Sequence, residues 1–243
     1  MERLRKCIAE FIGTFILVTL GCGTAMLVGC SSDMGGGYIL TALAFGLAIV
    51  AMAYSLGNIS GGHVNPAVSL AVLMNGGIGV IDFLGYFVSQ ILGAFAGSAL
   101  LAMIFDQGKV VDKTGGYGTN GLAGVHDSAV TGLIVEVVLT CIFVLAILGV
   151  TSKKQGHGSF GGLIIGLTLT GVHILGIGLT GTSVNPARSL GPAMIAAIKG
   201  DATAINCVWV FIVGPFIGAA LAAIIYRILE GAPDEVVEDD IEI

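Results

Sequence analysis

The sequence predicts an all-α membrane protein: six transmembrane helices plus two re-entrant half-helices, arranged as an inverted tandem repeat. Three observations predict it. Hydrophobic residues make up 55% of the 243-residue chain and charged residues only 11%, against about 25% charged in a soluble domain. Six apolar runs are long enough to cross a bilayer, which takes about 20 residues. The phrase "HVNPAVSL" at His63 returns as "SVNPARSL" at Ser183, 120 residues later.

The apolar runs cover roughly 7–29, 38–57, 81–104, 129–150, 160–179 and 206–228. Two shorter ones, 66–75 and 186–198, follow the repeated phrase. At about 1.5 Å per residue, each of these crosses about half of the hydrocarbon layer. The first run follows Arg3, Arg5 and Lys6 and leads to "LVGC" at 27–30, which has the look of a cleaved lipoprotein signal. Glu10 interrupts its apolar part, so the run is read as a retained helix.

Orientation follows from the basic residues. Arg3, Arg5, Lys6, Lys153, Lys154 and Arg227 fall on one side of six spans, and Lys109, Lys113 and Lys199 on the other. The richer side marks the cytoplasm. A multi-pass protein of the cell (plasma or inner) membrane is expected, with both termini cytoplasmic. The net charge of −6 is uninformative about partners, because seven of the 16 acids lie between Glu230 and Glu242. That acidic tail, 230–243, has no apolar period and reads as a disordered cytoplasmic end. There is no basic patch for a nucleic acid. The five cysteines are scattered through apolar runs without CxxC spacing and read as buried hydrophobes.

Shifting the sequence by 120 lays "GGHVNPAVSL" (61–70) over "GTSVNPARSL" (181–190) with seven identities in ten, and Gly46-Leu47 over Gly166-Leu167. Glu10-x-x-x-Thr14 near the start has its counterpart in Glu136-x-x-x-Thr140. The chain reads as one domain, 1–243. Repeat one covers about 5–104 and repeat two about 129–228, each made of span, span, half-helix, span. Three spans is an odd number, so the second repeat must enter the membrane inverted.

Asn is a good N-cap and Pro suits the first helical position, so each Asn-Pro-Ala starts a helix. A single copy would mean no more than that. Two copies on half-helices from opposite faces bring two helix N-termini together at mid-membrane, each carrying about +0.5 charge. Non-helical backbone at that depth is tolerated where it lines a polar path or is buried in protein. The stretches Gly57–Val64 and Gly178–Val184 are read as such backbone, with carbonyls of Gly61, Gly62, His63 and Val64 on one side and of Gly181, Thr182 and Ser183 on the other. The centre repels cations and offers the amides of Asn65 and Asn185. These are the properties of a channel for small neutral molecules.

Two boxes, Asn65-Pro66-Ala67 and Asn185-Pro186-Ala187, occur with "SGGHVNPAVSL", "TSVNPARSLGPA", "AEFIGTF" and "VGPFIGA". On these the chain resembles the aquaporin (major intrinsic protein) family, and within it the bacterial water channels. The resemblance covers about residues 5–229. It implies the aquaporin fold, a homotetramer in the lipid bilayer with one pore per subunit, water as the transported substrate and no metal or cofactor. It also implies an aromatic/arginine constriction made by Phe45, His173, Thr182 and Arg188, a water-type pattern. Glycerol-conducting relatives typically carry Asp where this chain has Ser189. Glu10 and Glu136 are implied to accept hydrogen bonds from the re-entrant loops. One departure is Ile212, where many water channels have Trp.

Arg188 carries its own argument. Arginine is costly inside a membrane, and no acid lies in the ten residues before it, the next one after being Asp201. Three other readings are set against the water channel. A glycerol facilitator of the same fold is opposed by Phe45, His173 and Ser189. A coupled transporter also uses inverted repeats and broken helices, but would need an acid exposed in the path. An enzyme is opposed by the lack of HExxH, GxSxG or a strand-borne GxGxxG.

Overall fold

The structure is a computed structural model, and it describes residues 1–30, 37–152, 154 and 159–230. The acidic tail beyond Glu230 lies outside these residues, as does Lys153. Among the described residues there is no strand.

Among the described residues, six helices have the length and composition of membrane spans. They are α1 (Glu2–Val28), α2 (Gly37–Ser55), α5 (Val80–Gly108), α6 (Ala129–Val150), α7 (Gly161–Thr180) and, after the short α9 (Thr203–Cys207), α10 (Val210–Glu230). Between them lie the single turn α3 (Gly57–Ser60) and the half-helices α4 (Pro66–Met74) and α8 (Pro186–Ile198). α1 and α5 outrun the apolar segments that announced them. Their polar ends, Glu2 to Lys6 and Asp106 to Gly108, suit the headgroup layer, which apolar runs alone do not register. The sixth segment breaks at Val208–Trp209, where Phe211 N–H reaches back only three residues, to the Val208 carbonyl.

Hydrogen bonds fix which ends share a face. The starts of α1 and α5 meet through Arg3 and Asp82, and the ends of α6 and α10 through Ser152 and Glu230. The end of α2 meets the approach to α7 through Tyr54 Oη and the Ser159 carbonyl. Arg227 of α10 donates to the Met74 carbonyl, so α4 ends on this same face. α8 ends on the other face, where Lys199 pairs with Asp106. The two half-helices therefore enter from opposite sides with their N-termini inward. At 9 and 13 residues they together cover about one hydrocarbon thickness.

Packing repeats across the two halves. α1 lies on α5 and α6 on α10, while α2 crosses α7. Each half-helix packs on the last span of the opposite half, α4 on α10 and α8 on α5. Glycine sets the closest approach. At the α2–α7 crossing, a Cβ on Gly46 would stand 2.5 Å from the Gly166 carbonyl oxygen, and one on Gly166 2.5 Å from the Gly46 carbonyl oxygen. The outward faces stay apolar, with Leu43, Leu47, Val138, Ile142, Leu167 and Leu221 exposed, as a hydrocarbon solvent requires.

Candidate functional site

The non-helical backbone at mid-membrane is shorter than the sequence suggested. Residues 57–60 form a helical turn and α7 runs on to Thr180, leaving 61–64 and 181–184. In both loops the same positions take left-handed φ: Gly61 (92°), Gly62 (62°) and Val64 (44°), then Gly181 (74°), Thr182 (50°) and Val184 (46°). A β-branched residue is strained there and persists only where its surroundings hold it.

Glu10 and Glu136 do the holding. Glu10 Oε1 accepts from Ser60 Oγ (2.7 Å) and His63 N–H (2.9 Å), and Oε2 from Val64 N–H (2.6 Å) and Gln90 Nε2 (2.7 Å). Glu136 Oε1 accepts from Thr180 Oγ1 (2.7 Å) and Ser183 N–H (3.0 Å), and Oε2 from Val184 N–H (2.8 Å). Both carboxyl groups are fully buried. These donors meet the cost of placing a carboxylate in the membrane.

Asn65 and Asn185 cap their half-helices. Asn65 Oδ1 accepts from Ala67 N–H, and Asn185 Oδ1 from Ala187 and Arg188 N–H, with Pro66 and Pro186 in the first turn. Each amide nitrogen crosses to the other loop. Asn65 Nδ2 donates to the Val184 carbonyl at 2.7 Å and Asn185 Nδ2 to the Val64 carbonyl at 2.9 Å. The Val64 oxygen, expected to face the path, is thus engaged by Asn185. One N–H of each amide is used and one is left over.

A vestibule of about 630 Å³ opens on the face that holds the chain's N-terminus, with Gly61, Gly62 and His63 in its wall. It narrows to a cavity of about 10 Å³ lined by Phe45, His63, Asn65, His173, Ser183, Val184, Asn185 and Arg188, with Leu17, Ile49, Phe143 and Leu169 as its apolar side. That is about the space one water needs. His63 borders both spaces, its Nδ1 3.0 Å from Ser69 Oγ.

Three of the predicted constriction residues come together. The Phe45 and His173 rings stack with centroids 4.5 Å apart, and Arg188 Cζ lies 4.9 Å from the Phe45 centroid. His173 Nδ1 is 2.9 Å from the Leu169 carbonyl. A carbonyl only accepts, so Nδ1 carries a proton, and Nε2 of the neutral imidazole is then a bare acceptor. That Nε2 and Arg188 Nε are buried without a hydrogen-bond partner, polar atoms left for something that passes. Thr182 differs: its side chain lies against Gly176, its Oγ1 is unpartnered, and it is not among the residues lining the narrow cavity. Ile212 is half-buried on α10 and is likewise not among the lining residues.

Other contributors went unread in the sequence. Arg188 Nη1 donates at 2.9 Å to the carbonyl of Gly118, in the loop between α5 and α6. Asn120 of that loop bonds to Thr180 and Ser189. Gly21 clears room for the Phe45 ring, which a Cβ there would meet at 2.2 Å. The loop carries no apolar period, and a glycine's service to a distant ring leaves no local mark. Val184 could have been found, since the shift of 120 lays it over Val64.

Comparison with known proteins agrees with this geometry. The family model described as Major intrinsic protein matches residues 1–226. The chain belongs to the major intrinsic protein family. Among curated members it is 43% identical over 231 residues to Aquaporin Z of Brucella melitensis biotype 1, covering 94% of this chain and 99% of that one. It is 41% identical over 237 residues to Aquaporin Z of Rhodopseudomonas palustris, covering 96% of each. The crystal structure of the aquaglyceroporin from Plasmodium falciparum superposes with a TM-score of 0.81 at 26% identity, covering 92% of this chain and 95% of that one. The multi-pass membrane architecture of this major intrinsic protein follows from its six apolar helices.

Proposed function

We propose that this chain is a passive transmembrane channel selective for water, conducting in single file and excluding protons and ions, with no catalytic chemistry. The observation that carries the reading is the constriction. The Phe45 ring lies within 5 Å of both the His173 ring and the Arg188 guanidinium, and all three line a cavity of one-water size. Its unpartnered polar atoms are one acceptor, His173 Nε2, and one cationic donor, Arg188 Nε.

At the centre, the spare N–H groups of Asn65 and Asn185 bind a passing water oxygen and turn its hydrogens outward. The hydrogen-bonded chain then cannot relay a proton. Two helix N-termini and the Arg188 charge add an electrostatic barrier to cations. Carbonyls of Gly61, Gly62, His63, Gly181, Thr182 and Ser183 supply acceptors along the rest of the path. The name Aquaporin Z borne by two relatives supports water as the substrate. The family resemblance supports a homotetramer with one pore per subunit, and the distribution of Lys and Arg supports cytoplasmic termini in a plasma or inner membrane, with repeats at about 5–104 and 129–228.

Stopped-flow light scattering on proteoliposomes tests the reading. An impermeant osmotic shock is expected to give fast shrinkage of low activation energy, and a glycerol gradient no re-swelling above protein-free vesicles. Rapid glycerol re-swelling overturns water selectivity.

A further inference from the structure

The two re-entrant loops are supported by different parts of the chain. In the first, the Ser60 carbonyl accepts from Tyr86 Oη at 2.7 Å, and Ser69 Oγ from Gln90 Nε2 at 3.1 Å. Both donors sit on α5. The corresponding groups of the second loop, shifted by 120, are the Thr180 carbonyl and Ser189 Oγ. α10 should supply their partners, but cannot. Gly93 of α5 packs on the Phe11 carbonyl of α1 as Gly218 of α10 packs on the Val137 carbonyl of α6. That register lays Tyr86 over Phe211 and Gln90 over Pro215, neither of which has a side-chain donor.

Asn120 takes over both duties. Its Nδ2 donates to the Thr180 carbonyl at 3.1 Å, and its Oδ1 accepts from Ser189 Oγ at 2.7 Å. The side chain is buried, at 3% exposure. Gly121 N–H adds a second bond to the Thr180 carbonyl, at 3.3 Å. Two residues before Asn120 is Gly118, whose carbonyl takes Arg188 Nη1 at 2.9 Å. Gly118 adopts φ 74° and is pressed so close to Cys22 that a Cβ would meet it at 2.9 Å. On the other flank, Gly124 rests on the Gly178 and Leu179 carbonyls.

We propose that Asn120 is a positioning residue for the Arg188 constriction: it anchors the 109–128 loop to the second re-entrant loop, so that the Gly118 carbonyl holds the guanidinium beside Phe45. The loop that carries no transmembrane signal is then part of the filter. Solute selectivity is set partly outside the two Asn-Pro-Ala boxes. The proposal rests on the constriction reading above.

The test uses full-length channels in proteoliposomes and reads the ratio of glycerol to water permeability, which does not depend on how many channels are reconstituted. Four variants are compared with the wild type: Arg188→Val, Asn120→Ala, Ser189→Ala and the Asn120→Ala/Ser189→Ala pair. Arg188→Val is expected to raise the ratio. Asn120→Ala is expected to raise it about fivefold, the population shift that one net hydrogen bond supports. The pair is expected to exceed Asn120→Ala by less than the Ser189→Ala effect alone, because the two residues share the Ser189–Asn120 bond, although Ser189 Oγ also reaches Ser183 Oγ. A purely structural role would lower both permeabilities together and leave the ratio unchanged, which overturns the proposal. If Asn120→Ala yields no folded channel, Ser189→Ala decides: a raised ratio supports the link and a wild-type ratio overturns it. An unchanged ratio in Arg188→Val removes the constriction reading and this proposal with it. A raised ratio there, with wild-type ratios in the Asn120 and Ser189 variants, removes this proposal alone.

Discussion

Asn65 and Asn185 each hold the other's loop. The amide of Asn65 bonds to the carbonyl before Asn185, and the amide of Asn185 to the carbonyl before Asn65. The carbonyl oxygen of each side chain caps its own half-helix. One residue type thus serves as cap acceptor and cross-link donor at once. The left-handed φ of Val64 and Val184 sits immediately before each cap. Two half-helices that enter from opposite faces become one continuous element with a polar joint at its middle.

That double duty separates Asn from Asp, an equally good cap. Asn65→Asp keeps the acceptor for Ala67 but loses the donor, and sets a carboxylate oxygen against the Val184 carbonyl. The expected cost is about 1–3 kcal/mol for the carbonyl left without its donor, and more for the repulsion. The apparent Tm in detergent should fall by several degrees. Asn65→Asp melting with the wild type would show that the cross-link contributes nothing to stability.

Gly21 limits how far Phe45 can stand from the pore axis. A Cβ at Gly21 would lie 2.2–2.5 Å from three atoms of the Phe45 ring, so Gly21→Ala must push the ring away from α1. Phe45 is 1% exposed and already stacked on His173. The ring therefore moves toward the one-water cavity, at an overpacking cost of about 1–3 kcal/mol. Osmotic permeability per channel is expected to fall severalfold, and Gly21→Ala/Phe45→Leu to recover it. A loss that the second substitution does not relieve would place the fault in α1 packing.

Much of this was legible in the sequence, and the reasons are physical. Spans announce themselves by composition, because lipid demands continuous apolar surface. The half-helices were readable because Asn-Pro is a cap written locally, and the repeat gave their opposed entry. Phe45, His173 and Arg188 were named through family resemblance, and they do converge. The 109–128 loop escaped. Asn120 and Gly118 act through contacts 60 to 70 residues away, and neither belongs to a periodic pattern. The same limit explains Thr182, whose side chain turned toward Gly176: spacing names a residue, but local backbone conformation aims it.

Gly46 and Gly166, paired by the shift of 120, meet at the α2–α7 crossing. Added methyl groups there would strike backbone oxygen, which cannot rotate away. Gly46→Ala is expected to cost about 1–3 kcal/mol and to lower the yield of folded channel. Gly171, on the same helix α7, has nothing within 4 Å of its added Cβ. Gly171→Ala should be neutral or stabilising by up to about 1 kcal/mol, as for a glycine in a helix interior. Thermal melting of the two variants side by side checks the contrast. Equal melting would mean that α2 and α7 separate freely at this crossing.

Glu136 has two oxygens for three donors: Thr180 Oγ1, Ser183 N–H and Val184 N–H. Glu136→Gln keeps shape and removes one acceptor. Its amide must then face either a backbone N–H or the threonine hydroxyl, and only the hydroxyl can turn to accept. Even with that turn, the orientation that suits Thr180 also withdraws the oxygen from Ser183, since Oε1 serves both. At least one backbone donor of the 181–184 loop is left unpaired in the membrane, and hydrogen bonds to a charged acceptor are worth about 1.5–3 kcal/mol each. The expected result is a lower Tm with water permeability per folded channel reduced. A proton relay through Glu136 predicts otherwise: the variant would keep its Tm and change only proton flux. Melting curves and proton uptake by proteoliposomes carrying Glu136→Gln distinguish the two, and an unchanged Tm would end the account of Glu136 as the support of the second re-entrant loop.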